Sequence, residues 1–157
     1  AKGLLRAFRT PGGHYRIKRR DLELFVQKYN MPYPFAEKAQ KRVYALDADG
    51  KTEKALKAAA TGHEFRWFAE PLGAALHIGL ERPDVLFLDY NSKAFDGPGF
   101  LEMLLAHPET RNIQVVLYTS GLAGQEAMEL RKKHNIEDIV DKKKGKAGAI
   151  EALSRLA

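Results

Sequence analysis

The chain has 157 residues, no cysteine and a formal net charge of +6 at pH 7. Hydrophobic residues make up 45% of it, enough for one well-cored domain with a small appendage and too many for a disordered chain. Disulfides and thiolate metal sites are excluded, no apolar run reaches the roughly 20 residues that span a bilayer, and no secretory leader is visible, a balance that fits a cytoplasmic protein without membrane partners.

The chain opens Ala1-Lys2-Gly3 without an initiator methionine, which reads as a processed form or a fragment. Leu4 to Arg9 alternates loosely and ends at Thr10-Pro11-Gly12-Gly13. Two glycines there permit the positive φ of a tight hairpin turn, and His14 to Ile17 is the return strand. Arg19 to about Tyr29 reads as a helix, because Leu22, Phe25, Val26 and Tyr29 recur at spacings of three and four. Asp21 and Glu23 sit in its first turn, where the helix dipole favours anions. Asn30-Met31-Pro32-Tyr33-Pro34-Phe35 cannot continue a helix. Residues 30–41 are therefore a linker between an N-terminal segment, 1–29, and a larger domain, 42–157.

Charge follows the same division. Residues 1–41 hold ten Lys/Arg against three acids, whereas the remainder holds sixteen against seventeen. A basic arm on a near-neutral body points to a polyanion partner for the arm alone.

From Arg42 the pattern alternates strand and helix. Val43 to Leu46 is a strand ending at Asp47. A helix from Thr52 to Ala60 follows, with Thr52 as its cap. Glu64 to Ala69 is a strand, and Leu72 to Leu80 a helix. Val85-Leu86-Phe87-Leu88 is a continuous apolar run that stops at Asp89, the signature of a strand buried on both faces. Gly99 to His107 is a helix, Val115 to Tyr118 a strand ending at Thr119, and Gln125 to His134 a helix. Ile139-Val140 is a short strand before Asp141 and Lys142, and Lys146 to Leu156 closes the chain as a helix. Five βα units predict an α/β fold: a doubly wound parallel sheet, flavodoxin-like, preceded by a small β-hairpin and helix.

In such sheets the ligand crevice lies beyond the carboxyl ends of the strands. Asp47, Asp89, Thr119 and Lys142 each stand at such an end. Singly, each has a bland reading as a cap, a loop group or a solvated charge; four together single out one rim. Gly121-Leu122-Ala123-Gly124 lacks the ending of a nucleotide loop. No Ser-His-Asp set or metal spacing joins His14, His63, His77, His107 and His134, which read as surface or helix-end residues. An enzyme is thus the weakest class.

Leu46-Asp47-Ala48-Asp49, Pro83 to Asp89 with Asp96-Gly97, Val115 to Ser120, and Asp138-Ile139-Val140-Asp141-Lys142 together resemble the receiver domain of two-component response regulators. The resemblance covers all of 42–157. It implies a phosphorelay in which Asp89 accepts phosphate from a histidine kinase or phosphotransfer protein. It further implies Mg²⁺ held by Asp47, Asp49, Asp89 and the backbone of Asn91, with Thr119 and Lys142 binding phosphoryl oxygens. Three positions depart from the pattern. Ala48 replaces a second adjacent acid and weakens the Mg²⁺ site. Lys143 replaces the proline after the lysine, and Ile139 replaces an aromatic switch residue. These departures carry the alternative: a pseudo-receiver used as a phosphorylation-independent interaction or dimerisation module.

The first 30 residues resemble the wing and following helix of MerR-type or excisionase-type winged helix-turn-helix proteins, on Arg9-Thr10-Pro11-Gly12-Gly13-His14, Arg16-Ile17 and Asp21-Leu22. That resemblance implies DNA-backbone contacts from Arg9, His14, Arg16 and Lys18, hence a transcription-regulating arm. The helices that precede the wing in that family are not in this sequence, so the arm by itself is expected to bind DNA weakly and without sequence selection. A homodimer is a further expectation of the reading.

Overall fold

The computed structural model describes residue 5 and residues 7–13, 15–29, 40–134 and 136–156. It contains two compact units, Ala1–Ala39 and Gln40–Ala157.

In the first unit β1 (Ala7–Arg9) pairs antiparallel with β2 (Tyr15–Ile17), Ala7 opposite Ile17 and Arg9 opposite Tyr15. The turn closes with a 2.8 Å bond from the Gly13 N–H to the Thr10 carbonyl. Gly13 sits at φ +82°, a left-handed conformation that glycine enters without steric strain. Helix α1 (Arg19–Lys28) follows, burying Val26 and stacking Phe25 on Tyr29 at 4.8 Å between ring centroids. The first strand is shorter than the expected run from Leu4, which, with Arg6, lies outside the described residues. So do His14 and residues 30–39 of the expected linker.

The second unit runs β3 (Arg42–Leu46), α2 (Gly50–Ala59), β4 (Glu64–Phe68), α3 (Pro71–Glu81), β5 (Val85–Leu88), α4 (Gly97–Ala106), β6 (Gln114–Thr119), α5 (Gly124–His134), β7 (Asp138–Asp141), a 3-10 turn (Lys142–Lys144) and α6 (Gly145–Arg155). The strands form one parallel sheet in the order β4-β3-β5-β6-β7, the flavodoxin-like doubly wound topology.

Alternation along the strands divides the core in two. Tyr44, Leu46, Leu86, Leu88, Val115 and Leu117 face α3, α4 and α5, where Ala74, Ile78, Leu101, Leu104 and Leu130 meet them. Val43, Ala45, Val85, Phe87, Val116 and Tyr118 face α2 and α6, against Leu56, Ala149 and Ala152. Both faces of the central strands are thus dry, which explains their unbroken apolar runs.

Several element ends differ from the sequence reading, each for a local reason. Helix α2 is capped by Asp49, whose side chain accepts the Lys51 N–H at 3.0 Å, whereas Thr52 is buried inside its first turn. Asp96 caps α4 by accepting from Gly99 at 3.0 Å, so the helix begins at Gly97. A β-carbon at Gly97 would overlap the Tyr90 carbonyl, so only glycine allows the β5–α4 loop to fold back this closely. Strand β4 ends at Phe68, and β7 extends to four residues through its hydrogen bonding with β6.

Candidate functional site

The chain returns from β4 through α3 to insert β5 on the other side of β3, so the strand order switches between β3 and β5. Open α/β sheets hold their ligands just beyond the carboxyl ends of the strands at such a switch. Those two strands end at Asp47 and Asp89, with Leu46 and Leu88 in register. Both carboxylates are buried, 2% and 8% exposed, so neither is an ordinary loop acid.

The neighbouring strands bring the other two groups to the same place. Thr119 ends β6 and donates its hydroxyl to Asp89 Oδ1 at 2.8 Å. The same hydroxyl accepts the Asn91 N–H at 2.9 Å, and the Asn91 side chain donates to the Ser120 carbonyl at 2.9 Å. The loop after β5 is thereby pinned to the end of β6. Lys142, just past β7, reaches back so that its Nζ lies 2.8 Å from Asp89 Oδ2 and 2.6 Å from Asp47 Oδ2. The bond to Asp89 is a full hydrogen bond. The contact with Asp47 is a buried ion pair. Asp47 Oδ1 accepts the Asp49 N–H at 2.8 Å.

One ammonium therefore serves two buried carboxylates, and the electrostatics follow. Burial pushes the Asp47 carboxyl above its ordinary range, and the pull of Lys142 and the Asp49 amide does not fully offset it. For Lys142, burial works against the charged form, but its bonds to Asp47 and Asp89 outweigh it and hold the ammonium above its usual value.

Asp47, Asp89, Asn91, Thr119 and Lys142 thus converge on one rim. Asp49 does not turn inward; its side chain is exposed and engaged in the α2 cap. Ala48 and Lys143 are exposed and Ile139 is half-buried. Among the described residues no three His, Asp or Glu side chains gather as a metal cage. In the first unit Arg9, Arg16 and Lys18 are exposed. Arg9 bends over its own turn, donating to the Gly13 carbonyl at 3.1 Å with its guanidinium 5.8 Å from the Tyr15 ring centroid. Arg16 donates to the Tyr15 carbonyl at 3.2 Å.

Two polar clusters escaped the sequence reading. Asp138, buried at the start of β7, accepts from Arg131 and Arg155, each at 3.0 Å. His77, Arg66 and Tyr44 converge on Glu81, with His77 Nδ1 at 2.6 Å and Arg66 Nη1 at 2.9 Å from Glu81 Oε1. His77 is therefore bonded on α3 rather than a free surface group. Only its four-residue spacing from Glu81 hinted at this.

No family model matches the chain, and no curated protein matches it. Solved structures do. The chemotaxis response regulator CheY4 of Vibrio cholerae aligns with a TM-score of 0.67 at 16% identity, over 76% of this chain and 100% of that one. The chain has the receiver-domain fold. The signal receiver domain of a DNA-binding response regulator from Colwellia psychrerythraea 34H gives 0.62 at 18% identity, over 73% and 95%. The Mn²⁺-bound form of response regulator Rcp1 gives 0.56 at 17%, over 70% and 87%. This fold brings the four candidate groups together at one rim. Among the described residues no helix is long and apolar enough to cross a membrane.

Proposed function

We propose that the chain is a two-component response regulator whose sheet unit accepts a phosphoryl group on Asp89 from a histidine kinase or phosphotransfer protein. The observation that carries this reading is the arrangement of Thr119 and Lys142 on the two oxygens of Asp89, beside Asp47. A carboxylate oxygen of Asp89 attacks the phosphorus, and the bond from phosphorus to the donor imidazole nitrogen breaks. The electron pair stays on that nitrogen, and the product is an acyl phosphate. The Thr119 hydroxyl and the Lys142 ammonium then bind phosphoryl oxygens instead of the bare carboxylate.

Two buried carboxylates sharing one ammonium suit a divalent cation. Asp47, Asp89 and the Asn91 carbonyl are the groups that would hold Mg²⁺; Asp49 would first have to leave its cap. When bound, such an ion offsets the charge of clustered carboxylates and phosphoryl oxygens. The Mn²⁺-bound neighbour is consistent with this chemistry. The basic hairpin and α1, with Arg9, Arg16, Lys18 and His14, serve in this reading as part of a DNA-binding arm under receiver control. The test is exposure to a small-molecule phosphodonor with Mg²⁺, followed by intact mass. One added phosphoryl group, lost in Asp89→Asn, is the expected result; no gain while a control receiver labels overturns it.

One observation favours a second reading, a phosphorylation-independent interaction module. Lys142 already engages both carboxylates, and Ala48 offers no second acid. In that case Mg²⁺ leaves Trp67 and tyrosine fluorescence and the melting temperature unchanged.

A further inference from the structure

Charge is unevenly placed inside the sheet unit. One face of the sheet is covered by α2 and α6, which pack against each other, and the other by α3, α4 and α5. Helix α2 and the stretch from Lys142 to Arg155 together hold eight Lys/Arg against two acids, whereas the rest of 42–157 holds eight against fifteen. Lys142 is engaged with Asp47 and Asp89, and Arg155 with Asp138 and Glu151. Lys51, Lys54, Lys57, Lys143, Lys144 and Lys146 remain, all exposed and none with an ion-pair partner among the described residues.

Folding does not ask for lysines there. Both helices start beyond the carboxyl ends of strands, α2 after β3 and α6 after β7. Lys51 lies in the first turn of α2 with Lys54 just beyond it, and Lys143, Lys144 and Lys146 surround the start of α6. The helix dipole disfavours cations at that end, where Asp and Glu are the stabilising choice. The neighbouring carboxylates, Asp49 and Asp141, act as caps: they accept the Lys51 and Lys143 backbone N–H groups at 3.0 and 2.9 Å. Unpaired ammonium groups beside two positive helix ends make one strongly positive face, the electrostatic footprint of a polyanion ligand.

The chemistry of the face says which polyanion. Protein interfaces are built on apolar and aromatic anchors and are poor in lysine. On α2 and α6 the one large apolar side chain exposed is Ile150, whereas α3 on the opposite face exposes Leu72, Leu76 and Leu80. A helix that lies in a bilayer surface needs an apolar stripe as well. Lysine is a point charge suited to phosphate. Neither helix carries an Asn or Gln to read base edges, nor an aromatic ring to stack an unpaired base. We propose that the α2–α6 face of the sheet unit is a second nucleic-acid surface. It holds the phosphate backbone of a duplex through these six lysines, without sequence selection. This goes beyond the DNA-binding arm of residues 1–29 and the phosphoryl chemistry at Asp89, and depends on neither.

The test is fluorescence anisotropy of the full chain with a short labelled DNA duplex of arbitrary sequence, across a series of salt concentrations. The wild type should bind, with an affinity that falls steeply as salt rises. Lys54→Gln with Lys57→Gln, and separately Lys144→Gln with Lys146→Gln, should each flatten the slope of log affinity against log salt by roughly 2. Each pair should also weaken binding about tenfold at low salt. Arg111→Gln with Lys132→Gln removes the same charge at exposed positions outside the face and should change both far less. Melting temperatures should stay at or above the wild-type value, because the lost charges oppose helix dipoles. Arg9→Gln with Arg16→Gln reports on the arm separately. A wild type that leaves the duplex unbound at low salt overturns the proposal. So do α2 and α6 pairs that bind like the Arg111 and Lys132 control, an outcome that leaves the arm standing if its own pair weakens binding. Polyglutamate or phosphatidylserine vesicles bound as tightly as the duplex at equal ionic strength also overturn it, and assign the face to an acidic protein or a membrane.

Discussion

The two ends of the sheet solve the same problem in opposite ways. At the start of β7, one buried carboxylate, Asp138, receives two guanidinium groups and its neighbour's backbone N–H. At the far ends of β3 and β5, two buried carboxylates share one ammonium. Cation excess and full hydrogen bonding mark Asp138 as a staple between α5, β7 and α6. Cation deficit sets the Asp47–Asp89 rim apart, and it is the deficit that the proposed Mg²⁺ and phosphoryl chemistry would answer. Burial alone does not separate the two ends; the count of partners does.

The comparison is broken most sharply by removing each carboxylate in turn. Asp89→Asn should abolish phosphoryl uptake from a small donor, whereas Asp138→Asn should keep it, by intact mass. If both label equally, the rims do not differ in function. Next in size is Lys142→Met, which strands two buried anions. It should destabilise the metal-free protein by about 3–5 kcal/mol in urea titrations, with Mg²⁺ returning part of the loss. Asp138→Ala should be milder, about 1–2 kcal/mol, because Arg131 and Arg155 are 49% and 58% exposed and recover solvent when released. Asp47→Asn should go the other way, stabilising the metal-free chain by on the order of 1 kcal/mol by ending the contest for Lys142. A destabilised Asp47→Asn would mean that the rim is as balanced as the staple.

The smallest effect concerns alkaline pH and lies away from both rims. Burial, then the hydrogen bond to Glu81, pushes the Tyr44 hydroxyl up to about 12 from its ordinary 10. The folded state keeps this proton longer than the unfolded state, so its contribution to stability is whole below pH 10. It is lost as pH rises from 10 towards 12. Urea titrations across that window should show a shallower decline in Tyr44→Phe than in the wild type.

Much of this was legible in advance for definite reasons. The β5 run, Val85 to Leu88, announced a strand covered on both faces, and Asp89 at its end announced the rim. Tyr44 shows what was not legible: β3 reads as an ordinary apolar run, yet that ring carries a hydroxyl bonded to Glu81, 37 residues away. The receiver resemblance implies Asp49 as a metal ligand, but an acid two positions past a strand end is as well suited to capping the next helix, and local hydrogen bonding engages it there. The Asp138 staple escaped because Arg131 and Arg155 lie on different helices, at spacings without a periodic signal. The outer stripe of α3 was visible as three leucines, but a helical period alone does not say which side of a helix meets the sheet.

By itself the sequence determined the alternation of strands and helices, the parallel sheet and the four strand-end residues, because hydrophobic period and breaker positions act over a few residues. Only the tertiary structure decided that Lys142 spans Asp47 and Asp89, that Asp138 is held by two arginines, and that α3 turns three leucines to solvent. Those outcomes depend on which distant side chains meet inside a low-dielectric core, where each buried charge must find its partner through space rather than along the chain.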